Sequence, residues 1–193
     1  MTVRARSRLS ASMLLAVGLA WQVTPAFAAE SQGAPSMPAR PTILEADLGS
    51  GVVGVGIERV LTPALSLRAT FQLNRPWYAQ FWHGDESDVI GFGGEIRPFF
   101  FPLGTAGRGL YVSPFGRIVG IRAQDKLPES ASGVGWSTGT TVGWGWLFGD
   151  GRWLARLGAG AQYWSFEVTD ARGRVAGLRG VYPDVDIILG YAF

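Results

Sequence analysis

A single histidine, His83, stands in the run Trp82-His83-Gly84-Asp85-Glu86-Ser87. Histidine, serine and carboxylate are the parts of a hydrolytic triad, in which the imidazole takes the hydroxyl proton and the acid orients the imidazole. Nearness along one loop does not assemble a triad, however, and a solvated loop histidine is the favoured reading. No phosphate-binding loop or nucleophile elbow accompanies it. No cysteine is present, so thiolate metal sites and disulfides are excluded. The expectation is a chain with no catalytic residue, no metal and no cofactor. A second chemical signal is the trio Arg172, Arg174 and Arg179, whose planar forks suit phosphate oxygens. An ordinary solvated loop is the competing reading of that trio.

The elements that must carry these residues announce themselves at the carboxy-terminus. Val185, Ile187, Leu189, Tyr191 and Phe193 recur every second residue, interleaved with Asp184, Asp186, Gly190 and Ala192. That alternation describes a strand with one greasy face and one polar face. The same period runs through Leu65–Leu73, where Ser66, Arg68, Thr70 and Gln72 take the other side. It continues through Ile90–Phe100, through Val134–Trp146 and through Trp153–Tyr163, with the segment 109–122 less regular. Apolar residues outside and polar residues inside are what a membrane-spanning β-barrel requires.

The first segment changes phase. Leu44, Ala46 and Leu48 face outward on even positions, whereas Val53, Val55 and Ile57 do so on odd ones. A turn or bulge near Gly49–Gly51 must intervene. A hairpin there gives eight antiparallel strands, an even number; a single bulged strand is the alternative. Tight connections are expected at Thr62-Pro63 and Gly149–Gly151, a medium one around 102–108, and long ones at 77–88, 124–132 and 169–180. Pro98, Pro114 and Pro183 each remove a ladder hydrogen bond, with Pro98 and Pro114 expected close together near the short-turn rim. The fold class is therefore all-β, a closed antiparallel transmembrane barrel.

Eight strands enclose a space that side chains can fill. The expected lining is Glu45, Asp47, Glu58, Arg68, Glu95, Arg97, Arg117, Arg156, Asp184 and Asp186. Six acids facing four arginines imply a plug of ion pairs, with a gated ion or proton path as the sharper alternative. Trp144, Trp146 and Trp153 flank one turn and Trp77 and Tyr78 lie toward the opposite rim, as expected of two aromatic girdles at headgroup level.

The amino-terminus reads as an export signal. Arg4, Arg6 and Arg8 precede a short apolar run from Met13 to Trp21, and Ala26-Phe27-Ala28 follows Pro25 as a small-x-small cleavage site. The division is thus a signal peptide at 1–28, a disordered leader at 29–40 and the barrel at 41–193. Cleavage takes three arginines from the 17 basic residues, leaving 14 against 15 acids. Nucleic-acid binding then has no electrostatic support.

The terminal strand resembles that of bacterial outer-membrane barrels, in which the closing aromatic is read by the insertion machinery; the resemblance assigns that role to Tyr191 and Phe193. Residues 41–193 resemble the OmpA-like and OmpW-like small barrels. The run Gly109-Leu-Tyr-Val-Ser-Pro-Phe-Gly116, after Gly91–Phe101, resembles a barrel family of unknown function. The resemblance implies an outer-membrane address, contact with outer-membrane lipid and lipopolysaccharide (through Arg172, Arg174 and Arg179) and a monomer. OmpA-like chains often continue into a peptidoglycan-binding domain, which is not expected here because the chain stops at Phe193. The His-x-Ser-Asn motif of barrel lipid A deacylases is absent. The expected function is a non-enzymatic envelope or surface barrel. A narrow conduit for small hydrophobic molecules is the alternative, a lipid A-modifying enzyme a weaker one, and a soluble lipocalin-type barrel weaker still.

Overall fold

Glycine-spaced runs of β-branched and aromatic residues favour extended backbone, because branched side chains pack well on a pleated surface. In the computed structural model, which describes residues 40–75, 89–123 and 131–193, these runs form eight strands. They are β1 (Thr42–Asp47), β2 (Val52–Thr62), β3 (Leu65–Asn74), β4 (Val89–Thr105), β5 (Arg108–Ala123), β6 (Ser132–Phe148), β7 (Trp153–Thr169) and β8 (Val175–Ala192). Each pairs antiparallel with its sequence neighbour, and β1 closes the ring against β8. The phase change in the first segment is a hairpin turn between Asp47 and Val52, so the eight-strand reading holds.

The register fixes the barrel's shape. From Glu45 it runs through Gly56, Thr70, Glu95, Arg117, Ser137 and Trp164 to Gly180 on β8. Glu45 itself pairs with Gly190, so the ring closes with a stagger of ten residues. Eight strands with that stagger tilt by about 40° from the barrel axis.

The tight turns at Pro63-Ala64 and after Phe148 stand where the sequence places them. In the latter, Gly149, Asp150 and Gly151 take φ of 58°, 56° and 73°, a left-handed run that two glycines make cheap. Two connections differ from expectation. The medium loop around 102–108 is a two-residue turn at Ala106-Gly107. The long loop at 169–180 is a five-residue turn, Asp170–Arg174, because pairing persists from Tyr163↔Val181 out to Thr169↔Val175. The other two long connections fall mostly outside the described residues, as do the expected signal and nearly all of the leader.

The prolines have separate accommodations. Pro98 and Pro114 lie mid-strand rather than at the rim. They stand opposite one another in an interruption of β4–β5 pairing between Ile96↔Gly116 and Phe100↔Val112, across which the register is unchanged; the register shift comes later, between Phe100 and Leu103. The Ser113 hydroxyl donates to the Pro98 carbonyl at 2.8 Å, replacing part of the lost ladder. Pro183 lies two residues from Val185, whose N–H donates to Ser50 Oγ at 3.0 Å and whose carbonyl accepts from Ser50 N–H at 2.8 Å. Pro183 therefore faces the same way, just beyond the top of the β1–β2 hairpin, where its missing N–H forfeits nothing.

Candidate functional site

Alternation along each strand sends two populations of side chains in opposite directions. Outward go Leu44, Val53, Val55, Ile57, Phe71, Phe92, Ile96, Ile118, Val142, Leu157, Ile187 and Leu189, all exposed. Inward go all ten charged residues expected in the lumen, none more than 2% exposed. The polarity of a soluble protein is inverted.

The lumen is layered. At its centre Glu95 meets three guanidinium groups: Arg68 Nη2 at 2.6 Å, Arg97 Nε at 3.0 Å and Arg117 Nε at 2.5 Å. Arg68 also reaches Asp47 at 2.8 Å and Glu45 at 3.5 Å. Arg97 pairs with Asp186 and lies 3.9 Å from Asp184. Arg156 takes Glu58 with both terminal nitrogens and Glu45 with one. Gln162 bridges the rest, accepting from Arg117 at 2.7 Å and donating to Asp184 at 2.8 Å. Every buried charge thus has an opposite partner, the condition under which burial is survivable.

Aromatic rings form the layer below. Phe99 and Tyr111 meet edge to face at 5.3 Å, with Phe101, Val60, Ala106 and Ile188 buried around them. The Arg156 guanidinium lies 4.1 Å over Phe99, while Arg97 and Arg117 lie 4.3 and 4.2 Å over Phe115. Such cation–π contacts stabilise charges already stripped of water. The Tyr111 ring crosses Gly143 and Gly158, and a Cβ at either would collide with it. Above the charges lies an apolar layer of Val119, Ile121, Trp164, Phe166, Val168, Leu178 and Tyr182, packed against one another and buried. The sequence already puts Tyr111 inside with Ser113 and Arg117 on β5, and period-2 parity could also have found Phe99 and Phe101 as lumen residues, since Arg97 fixes the inward phase of β4.

The remaining site residues fall as follows. Trp144, Trp146 and Trp153 face outward beside the Gly149–Gly151 turn, and Trp153 meets Tyr191 edge to face at 5.1 Å. Phe193 is exposed and its N–H donates to the Thr42 carbonyl at 2.9 Å. Trp77, Tyr78 and His83 lie outside the described residues. Toward the long-loop end, Trp136 and Tyr163 form an outward aromatic pair at 5.4 Å that the girdle assignment passed over.

No family model and no curated protein matches this chain. Among solved structures, the N-terminal β-barrel domain of Pseudomonas aeruginosa OprF is similar at 12% identity, with a TM-score of 0.47. The alignment covers 80% of this chain and 98% of that one.

The three candidate phosphate-binding arginines do not form one cluster of free forks. Arg174 is drawn onto Asp170 at 2.6 Å, closing the β7–β8 turn. Asp170 also accepts the backbone N–H groups of Arg172 and Arg174 at 2.9 and 2.8 Å. Desolvation pushes the Asp170 carboxyl up, but these hydrogen bonds outweigh it and hold the carboxyl below the usual aspartate range. Arg179 stands on β8, donating to the Tyr163 hydroxyl at 2.9 Å with Glu167 at 3.9 Å. Among the described residues, no three acids or histidines are placed to hold a metal.

Proposed function

We propose that this chain is an outer-membrane β-barrel with a plugged lumen, a non-enzymatic protein that contributes to envelope integrity or surface interaction. The observation that carries the reading is the inverted polarity: an apolar exterior around an interior whose ten charges are paired and buried. A soluble barrel would expose Val53, Phe71, Ile118 and Leu157 to water at heavy cost, whereas lipid accepts them. On this reading the turns at Pro63-Ala64, Ala106-Gly107 and Gly149–Gly151 are periplasmic, the terminal Tyr191 and Phe193 address the insertion machinery, and the opposite end meets lipopolysaccharide. The packing of buried apolar side chains against one another in the upper lumen favours this reading over a conduit.

Reconstitution into planar bilayers tests the plug. The expected record is a closed membrane with no steady ionic current. A stable open conductance from the folded protein would overturn the plugged-lumen reading and favour a conduit.

A further inference from the structure

The short-turn end carries arginines that no carboxylate neutralises. Arg59, Arg108 and Arg152 are exposed and Arg40 is half-exposed. Arg40 donates to the Asp150 backbone carbonyl at 3.2 Å, and Arg59 donates to the Thr42 hydroxyl at 2.6 Å. Among the described residues none of the four forms an ion pair, and Asp150 is the sole acidic side chain at that rim. The side-chain balance there is four positive charges against one negative. At the opposite end Arg174 and Arg179 stand beside Asp170 and Glu167, with Arg75, Arg122 and Arg172 also exposed there.

Arg59 is the informative member. It continues the outward row Val53, Val55, Ile57 and is followed outward by Leu61, so a charge interrupts an apolar face. An arginine on such a face is tolerated only near the interface, where its head reaches the headgroups. Its cross-strand partner Thr42 opens β1, at the rim flanked by Trp153 and Tyr191. Guanidinium forks at headgroup level, beside an aromatic girdle and without internal counter-ions, complement a phosphodiester.

We infer that Arg40, Arg59, Arg108 and Arg152 form a basic collar that binds the phosphate headgroups of anionic phospholipids in the periplasmic leaflet. The inference rests on the membrane-spanning reading above. Each arginine near a charged lipid surface favours an anionic neighbour by up to about fivefold.

The test uses the full barrel folded into phosphatidylcholine vesicles containing a minor fraction of brominated phosphatidylglycerol. Trp144, Trp146 and Trp153 lie beside the collar and report quenching by nearby bromine. Wild-type protein is expected to enrich phosphatidylglycerol over a brominated phosphatidylcholine control by about two- to fivefold. The R59Q/R108Q/R152Q variant is expected to fall to parity while keeping its heat-dependent gel mobility, the sign of a folded barrel. Failure of wild-type protein to insert into any vesicle would overturn the membrane reading itself. Insertion without phosphatidylglycerol enrichment, or enrichment unchanged in the triple variant, would overturn the collar alone. Isolated peptidoglycan provides the last arm: wild-type binding lost in the triple variant, with lipid selectivity intact, would assign the arginines to the cell wall and overturn the lipid proposal.

Discussion

Arg156 holds Glu58 in a two-pronged grip, Nη1 at 2.5 Å from one carboxylate oxygen and Nη2 at 2.8 Å from the other, across 98 residues of sequence. Both side chains are fully buried. Removing the arginine leaves Glu58 without a cation and facing Glu45, which keeps Arg68 at 3.5 Å. Arg156→Leu is expected to cost about 3–5 kcal/mol, the usual penalty for orphaning a buried charge. The measurement is reversible urea unfolding in vesicles. Arg156→Leu with Glu58→Leu is expected to recover much of that loss, since the pair is then removed together.

The fit of Tyr111 over Gly158 makes an opposite kind of prediction. Gly158→Val places branched carbons where the ring lies, and is expected to cost about 1–3 kcal/mol by overpacking. Tyr111→Ala in the same background should restore part of the loss. A double-mutant cycle on unfolding midpoints would show the coupling, and strict additivity would contradict the contact.

Proline positions on β8 should differ sharply. Pro183→Val is expected to change stability by no more than about 0.5 kcal/mol, because no ladder partner waits for the new N–H. Ile187→Pro lies where the Leu48 N–H donates to the Ile187 carbonyl at 2.8 Å, within the paired seam. There a proline is expected to cost about 3 kcal/mol or more, or to abolish folding. Heat-dependent gel mobility of the two variants separates these outcomes.

The β7–β8 turn should loosen with acid. The Asp170 carboxyl is held below its ordinary range, so its contribution is complete at neutral pH and is lost as pH falls through the lowered value. Amide exchange at Gly173 and Arg174 is expected to accelerate at that pH relative to neighbouring strand amides, after correction for intrinsic rates. Asp170→Asn should remove the pH dependence. An unchanged profile in that variant would place its origin elsewhere.

Much of the architecture was legible because the outer wall and the lumen of the barrel carry opposite polarity at every second residue. That constraint phased β3, β6 and β8 directly and located a break at Gly49–Gly51 through a single change of parity, leaving hairpin or bulge to be decided by the structure. It lapses where strands leave the apolar band. The upper halves of β7 and β8 alternate weakly, with Arg172, Gly173 and Arg174 looking like an ordinary loop. Their pairing out to Thr169↔Val175 was therefore invisible. Loop rules also misjudged Ala106-Gly107, because residues 102–105 carry no strong period yet continue β4.

The sequence by itself determined which side of the wall the residues of the regularly alternating strand segments face, since period-2 alternation is a local property of extended chain. It placed Arg156 and Glu58 in one lumen without pairing them. Only the closed ring decided that Glu95 gathers Arg68, Arg97 and Arg117 and that Arg156 crosses to Glu58. Those meetings depend on strand number and on the ten-residue stagger between Gly180 and Gly190, which set the height at which each side chain enters the lumen. That stagger is a sum over eight registers, so no stretch of the chain shorter than the barrel contains it.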